Sequence, residues 1–115
     1  MSKLAKYLIS DFQYNWSKPS IKFFRSNGAY GYIIWLTIVK NCIEKKKINI
    51  ERLAIEIEKY ASRRTIIDFI TKGVRAGFIK KINDNNDKRK IFIEPTEITI
   101  KEYTEWSDEF IKSIV

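Results

Sequence analysis

The chain is predicted to be mainly α-helical with one small β-hairpin, an α+β fold, and three observations predict it. Apolar residues recur at helical spacing along most of its length. From Phe78 to Glu94 the pattern changes to β-branched and aromatic residues on either side of a polar turn. Basic side chains gather on that hairpin and on the helical stretch before it. At 115 residues and 44% hydrophobic, the sequence is long enough to bury one core without disulfides or metal, and residues 1–115 are expected to form a single domain.

Residues 3–15 read as an amphipathic helix, with Leu4, Tyr7, Leu8, Ile9 and Phe12 on the apolar side and Lys3, Lys6 and Asp11 on the other. Packing on its own domain is one fate for that side; a membrane surface is another, disfavoured by a weakly basic polar face. Asn15 to Ser20 is a linker, and Pro19 starts a short helix through Ile21, Phe23 and Phe24 that Asn27-Gly28 breaks. From Tyr30 to Lys45 the residues Tyr32, Ile33, Trp35, Leu36, Val39, Cys42 and Ile43 leave little polar circumference, which marks the spine of the core. Their aromatics could instead form a stacking platform for single strands, but such a stripe at helical spacing is usually core. Glu44-Lys45-Lys46-Lys47 suits the negative end of that helix or a phosphate.

Ile48-Asn49-Ile50 is a strand fragment, and Asn49 caps a helix starting at Glu51 whose narrow apolar stripe is Leu53, Ala54 and Ile57. Ser62 caps the next helix, residues 62–76. Ile66, Phe69, Ile70, Gly73 and Val74 face inward there, and Arg63, Arg64, Ile67, Asp68, Thr71, Lys72 and Arg75 face outward. Gly77 ends it, since a left-handed residue costs least as glycine. Strands are predicted at 78–82 and 90–94, joined by the turn Asn83 to Asp87, with Lys88, Arg89 and Lys90 near the tip. Pro95 cannot donate to a ladder and ends the second strand. Thr99 and Glu102 have capping-box spacing, and Tyr103, Trp106, Phe110 and Ile114 recur along a last helix.

The formal net charge of +8 favours a polyanionic partner, and its distribution sharpens this: residues 1–96 carry 20 basic and 9 acidic side chains, residues 97–115 carry 2 and 5. The acidic end is expected to point away from nucleic acid. Cys42 is the only cysteine and reads as a small core residue rather than a redox sensor. Histidine is absent, which removes the commonest general base and metal ligand; no glycine-rich phosphate loop occurs, and pairs such as Glu56/Glu58 and Asp84/Asp87 read as surface and turn residues. Neither enzymatic activity nor a cofactor is expected. No membrane span or signal-peptide core is visible, so a cytoplasmic protein is expected.

From about Ile48 to Tyr103 the sequence resembles the winged helix-turn-helix proteins of the MarR type. The resemblance is carried by the short strand, Glu51-Arg52-Leu53-Ala54, Ser62-Arg63-Arg64-Thr65-Ile66, Gly77-Phe78-Ile79, the wing motif Asp87-Lys88-Arg89 and Thr96-Glu97. It implies N-terminal helices over 1–47, a helix-turn-helix and wing over 48–96 and a C-terminal helix over 97–115. It implies that helix 62–76 enters the major groove through Arg64, Thr65 and Ile67 while Arg89 on the wing, 83–90, reaches the minor groove. It also implies a homodimer through the terminal helices, which would cover the apolar face of the last helix. Two positions depart from the pattern: Asp68 stands where the family often has a basic residue, and Gly73 where it usually has a large apolar one.

The predicted DNA-binding set is Arg63, Arg64, Thr65, Ile67, Thr71, Lys72, Arg75, Lys88, Arg89 and Lys90. The favoured function is a sequence-specific double-stranded DNA-binding transcriptional regulator. A replication or partition protein of a mobile element and a winged protein-interaction module without DNA binding are the alternatives. A small-molecule effector is not assigned; Trp16, Tyr30 and Trp35 could line its pocket but are sufficiently explained as core.

Overall fold

Residues 2–14, 17–87 and 89–115 are described by the structure, a computed structural model; Asn15, Trp16 and Lys88, and the readings placed on them, lie outside the described residues. Three helices open the chain, α1 (Ser2–Tyr14), α2 (Pro19–Arg25) and α3 (Gly28–Ile43). Strand β1 (Ile48–Asn49), helices α4 (Ile50–Glu56) and α5 (Arg63–Ala76), and the hairpin β2 (Ile79–Asn83) and β3 (Ile91–Pro95) follow, and α6 (Glu97–Ile114) closes it. The predicted strand fragment is thus incorporated: Ile48 pairs with Ile93 and Asn49 with Phe92, making an antiparallel three-stranded sheet in the order β1-β3-β2. Because β1 covers only Phe92 and Ile93 of the central strand, Pro95 sits beyond its reach, where no ladder donor is required.

The core forms where α2, α3, α4 and α5 meet the inner face of the sheet. Phe24, Ile34, Trp35, Val39, Leu53, Ile66 and Ile70 are fully shielded from water, and Ile48, Ile79 and Ile93 close the core from the strands. Gly31 permits the tight α2–α3 corner: a Cβ there would lie 2.2 Å from the Phe24 carbonyl oxygen, and backbone cannot yield as a side chain can. Gly73, at the departure from the MarR pattern, instead receives the Ile79 side chain, whose Cδ1 would be 2.5 Å from an added Cβ. Trp35 contacts Tyr32 and Trp106 at ring-centroid distances of 5.8 and 5.1 Å, and Tyr30 packs on Phe69. Both are core aromatics. The predicted apolar series along α3 runs one residue too far, because Ile43 is exposed on the final turn, just before the chain reverses through Lys45 at φ 59°.

Three expectations about the terminal helices are corrected. Asp11, assigned to the polar side of α1, is buried, accepting hydrogen bonds from Arg25 Nη1 at 2.7 Å and Trp106 Nε1 at 2.9 Å. Ile9 and Phe12 are instead 60% and 67% exposed. The helix has turned its carboxylate inward because α2 and α6 offer it two donors. Thr99 and Glu102 do not cap α6, which begins earlier, after Thr96 in an extended conformation. The Thr99 hydroxyl donates to the Phe78 carbonyl at 2.8 Å, tying α6 to the end of α5, and Glu102 accepts from the Ser20 amide and hydroxyl at 2.8 and 2.6 Å. Glu102 thereby caps the first turn of α2, where Lys18 provides no side-chain bond. Finally, the apolar face of α6, expected to be covered by a second copy, is covered in part within the chain: Trp106 is buried on Trp35, and Phe110 meets Tyr7 of α1 edge-on at 5.4 Å.

Candidate nucleic-acid interface

Helix α5 is set in place by its ends and its inner face. Ser62 accepts the Thr65 amide hydrogen bond at 3.2 Å, and at the other end Gly77 adopts φ 86° so that the Phe78 amide can return to the Gly73 carbonyl at 2.9 Å. Ile66, Phe69, Ile70 and Gly73 are buried with Val74 half-buried, as the spacing predicts. What remains outward is Arg63, Arg64, Asp68, Thr71, Lys72 and Arg75, all exposed, with Thr65 and Ile67 half-buried.

The hairpin stands beside this helix. Its turn is built from two Asx-type contacts: Asp84 accepts the Asn86 amide at 2.9 Å, and Asp87 accepts the Arg89 amide at 3.0 Å. Asp87 also meets Arg89 Nε at 3.4 Å, while the Arg89 side chain is almost wholly in solvent. A carboxylate so placed directs the arginine without removing it from reach. Along the strands Lys80 pairs with Glu94 at 3.7 Å, and the Lys47 ammonium lies 5.2 Å from the centre of the Phe92 ring, so two of the cations near the hairpin are already engaged.

Between helix and hairpin runs a groove of about 230 Å³ whose walls bring Arg63, Ile67, Arg89 and Lys90 together with Asn49, Ile50, Glu51 and Ile91. Four of the predicted site residues therefore meet here. Arg64, Thr65, Thr71, Lys72 and Arg75 share the helix but not the groove. Arg75 lies about 18 Å from Arg63 along the axis, at the helix end whose dipole favours a cation. Thr65 and Thr71 have prior commitments: Ser62 Oγ donates to Thr65 Oγ1 at 3.0 Å, and the Thr71 hydroxyl donates to the Ile67 carbonyl at 2.9 Å. Thr65 therefore keeps its hydroxyl hydrogen for donation, whereas Thr71 keeps acceptor capacity only. Arg64, Lys72 and Arg75 make no side-chain hydrogen bond or ion pair among the described residues. Lys88 lies outside the described residues.

Glu51 is the groove residue that periodicity did not single out. It stands in the first turn of α4, and its carboxylate grips Arg63 at both oxygens, with Arg63 Nε donating to Oε2 at 3.1 Å and Nη2 to Oε1. The hydrogen bond from Arg63 holds the Glu51 carboxyl below its usual range, and the same contact raises Arg63 above its own. The sequence signal is faint: an acidic residue opening one helix is ordinarily ascribed to the dipole of that helix. Only the turn between α4 and α5 reveals that it faces the basic start of the next.

Among the described residues no three histidine, cysteine or carboxylate side chains gather as a metal site, and no helix is long and apolar enough to cross a membrane. Two helices joined by a short turn, the second with an exposed basic face, followed by a hairpin beside it, define a winged helix-turn-helix. No family model and no curated protein matches the sequence. Solved structures of MarR-family winged-helix regulators do match the fold. ZitR of Lactococcus lactis aligns over 71% of this chain and 51% of its own, with 16% identity and a TM-score of 0.56. The heme sensor PefR of Streptococcus agalactiae, in complex with heme, aligns over 96% of this chain and 72% of its own at 16% identity and a TM-score of 0.59. NadR in complex with 4-hydroxyphenylacetate aligns over 91% and 71% at 18% identity and 0.60. This chain spans about half the length of the ZitR chain. At these identities the likeness is one of fold.

Proposed function

We propose that this protein is a sequence-specific double-stranded DNA-binding transcriptional regulator. The observation that carries the reading is the groove in which the first turn of α5 and the tip of the wing present Arg63, Arg89 and Lys90 on one side of the molecule. A helix on this scale fits the major groove of B-DNA, and an arginine on an adjacent hairpin reaches a neighbouring narrow groove. In this reading Arg63, Arg64, Thr65, Ile67 and Thr71 contact base edges or flanking phosphates, Lys72, Arg75, Lys88 and Lys90 contribute phosphate contacts, and Arg89 enters the minor groove.

The active species in this reading is a homodimer. Leu8 and Ile9 of α1 and Ile111, Ile114 and Val115 at the end of α6 are exposed, and the Lys3 ammonium donates to the Val115 backbone oxygen at 3.3 Å, so the two terminal helices meet and leave apolar side chains in solvent for a partner copy to cover. A dimer places two recognition helices on half-sites about 34–36 Å apart, one turn of the double helix.

Selection of bound duplexes from a random pool, followed by salt titration of the selected duplex against a scrambled one, tests this. A palindromic motif bound with steep salt dependence is the expected result. Failure to retard any duplex at low salt overturns the reading in favour of a protein-interaction module. Arg89→Ala should weaken binding most on sites with narrow A·T-rich minor grooves, and equal loss on all sequences would reduce Arg89 to a phosphate contact.

A further inference from the structure

Glu51 is the one carboxylate among the residues lining the groove between α5 and the wing. Its two-point contact with Arg63 uses the guanidinium edge that would otherwise meet a phosphate, because carboxylate and phosphate are both recognised by two parallel N–H donors. The pair is solvent-exposed, with side chains 60% and 64% accessible, so exchange of partner requires no repacking. We infer that Glu51 is a specificity-determining residue of the DNA interface, holding Arg63 across the helix-helix turn so that it is released only to a site that replaces both bonds. This inference rests on the DNA-binding function proposed above.

The consequence is a difference between sites. On an arbitrary duplex Arg63 stays with Glu51, and one cation fewer acts on the phosphates. On a preferred duplex the remaining contacts hold the strand close enough to displace Glu51. Glu51 therefore lowers affinity for all DNA, but most for the wrong DNA, by competing for Arg63 at every site that cannot replace both bonds.

The decisive experiment measures binding of the full chain to the selected duplex and to a scrambled one across a salt series. Glu51→Gln is compared with Glu56→Gln, which removes the same charge from the same helix at the Arg52 pair, and both are repeated in an Arg63→Gln background. Glu51→Gln should tighten scrambled-duplex binding by about two- to fivefold at low salt, beyond any effect of Glu56→Gln. The salt slope should steepen by roughly one phosphate contact, and the ratio of selected to scrambled affinity should fall. In the Arg63→Gln background the two substitutions should become equivalent.

Equal effects of Glu51→Gln and Glu56→Gln, or an excess that persists without Arg63, would overturn the inference while leaving the DNA-binding function standing. Wild-type protein that binds no duplex, or binds without sequence preference, would overturn both. Circular dichroism of each variant confirms that an altered affinity belongs to a folded chain.

Discussion

Two of the arginine–carboxylate pairs among the described residues share a chemistry and differ in setting. Asp11 and Arg25 join α1 to α2 with side chains 4% and 17% accessible, and the guanidinium lies 5.6 and 5.5 Å from the rings of Phe12 and Tyr32. Glu51 and Arg63 join α4 to α5 in open solvent. The first pair is surrounded by aromatic groups that cannot replace either ion, and its breakage strands a charge. The second is largely open to water, so a group that replaces both hydrogen bonds can take the place of either partner without repacking. One chemistry thus makes a structural clasp at the terminal helices and an exchangeable contact at the groove, and the surroundings decide which.

The largest effect expected from this contrast is on the clasp. Asp11→Ala removes the acceptor of both Arg25 and Trp106 and should destabilise the fold by about 3 kcal/mol, read as a lowered denaturation midpoint in urea. Asp11→Asn, which keeps an acceptor for Trp106, should lose less. An Asp11→Ala protein as stable as wild type would place the pair in the same class as the exposed one.

A smaller loss is expected at the neighbouring contact between α6 and α2. Glu102→Ala leaves the buried Ser20 amide and hydroxyl without their acceptor, a cost of roughly 1–3 kcal/mol. If Ser20→Ala in the Glu102→Ala background restores part of the lost stability, the penalty lies in the unsatisfied hydroxyl. If it restores nothing, the amide at the start of α2 carries it.

These contacts also show which features could be foreseen in the sequence. Much of what local spacing governs was legible: the caps Asn49 and Ser62, the inward series of α5, the stop at Gly77 and the hairpin with its arginine at the tip each depend on residues within a turn or two of one another. Asp11 was misassigned because a polar residue on an amphipathic pattern defaults to the solvent side, and Thr99 and Glu102 because their spacing suits a local cap; nothing local shows that Trp106 and Ser20, 95 and 82 residues away, will donate to the two carboxylates or that the Phe78 carbonyl will accept the Thr99 hydroxyl. The candidate site divides in the same way. Its cations on α5 and the wing follow from periodicity and turn chemistry, but Glu51 acquires its role only when α4 and α5 fold against each other.

The smallest effect expected is a dependence of the exposed pair on pH. The Arg63 hydrogen bond lowers the folded-state pKa of Glu51, so the contribution of the pair to stability is fully present above the unfolded carboxyl value, about 4.3. It is lost as pH falls through the lower folded value. Arg63 stays protonated throughout this range, because its own shift is upward. Thermal melts of wild type and Glu51→Gln in low salt should therefore differ slightly at neutral pH and converge at the acid end of a series taken from pH 7 to about pH 3. A difference that is unchanged across the series would mean that glutamine's altered packing, not the carboxylate, separates the two proteins. It would also remove the ionic pairing on which the competition between Glu51 and a phosphate depends.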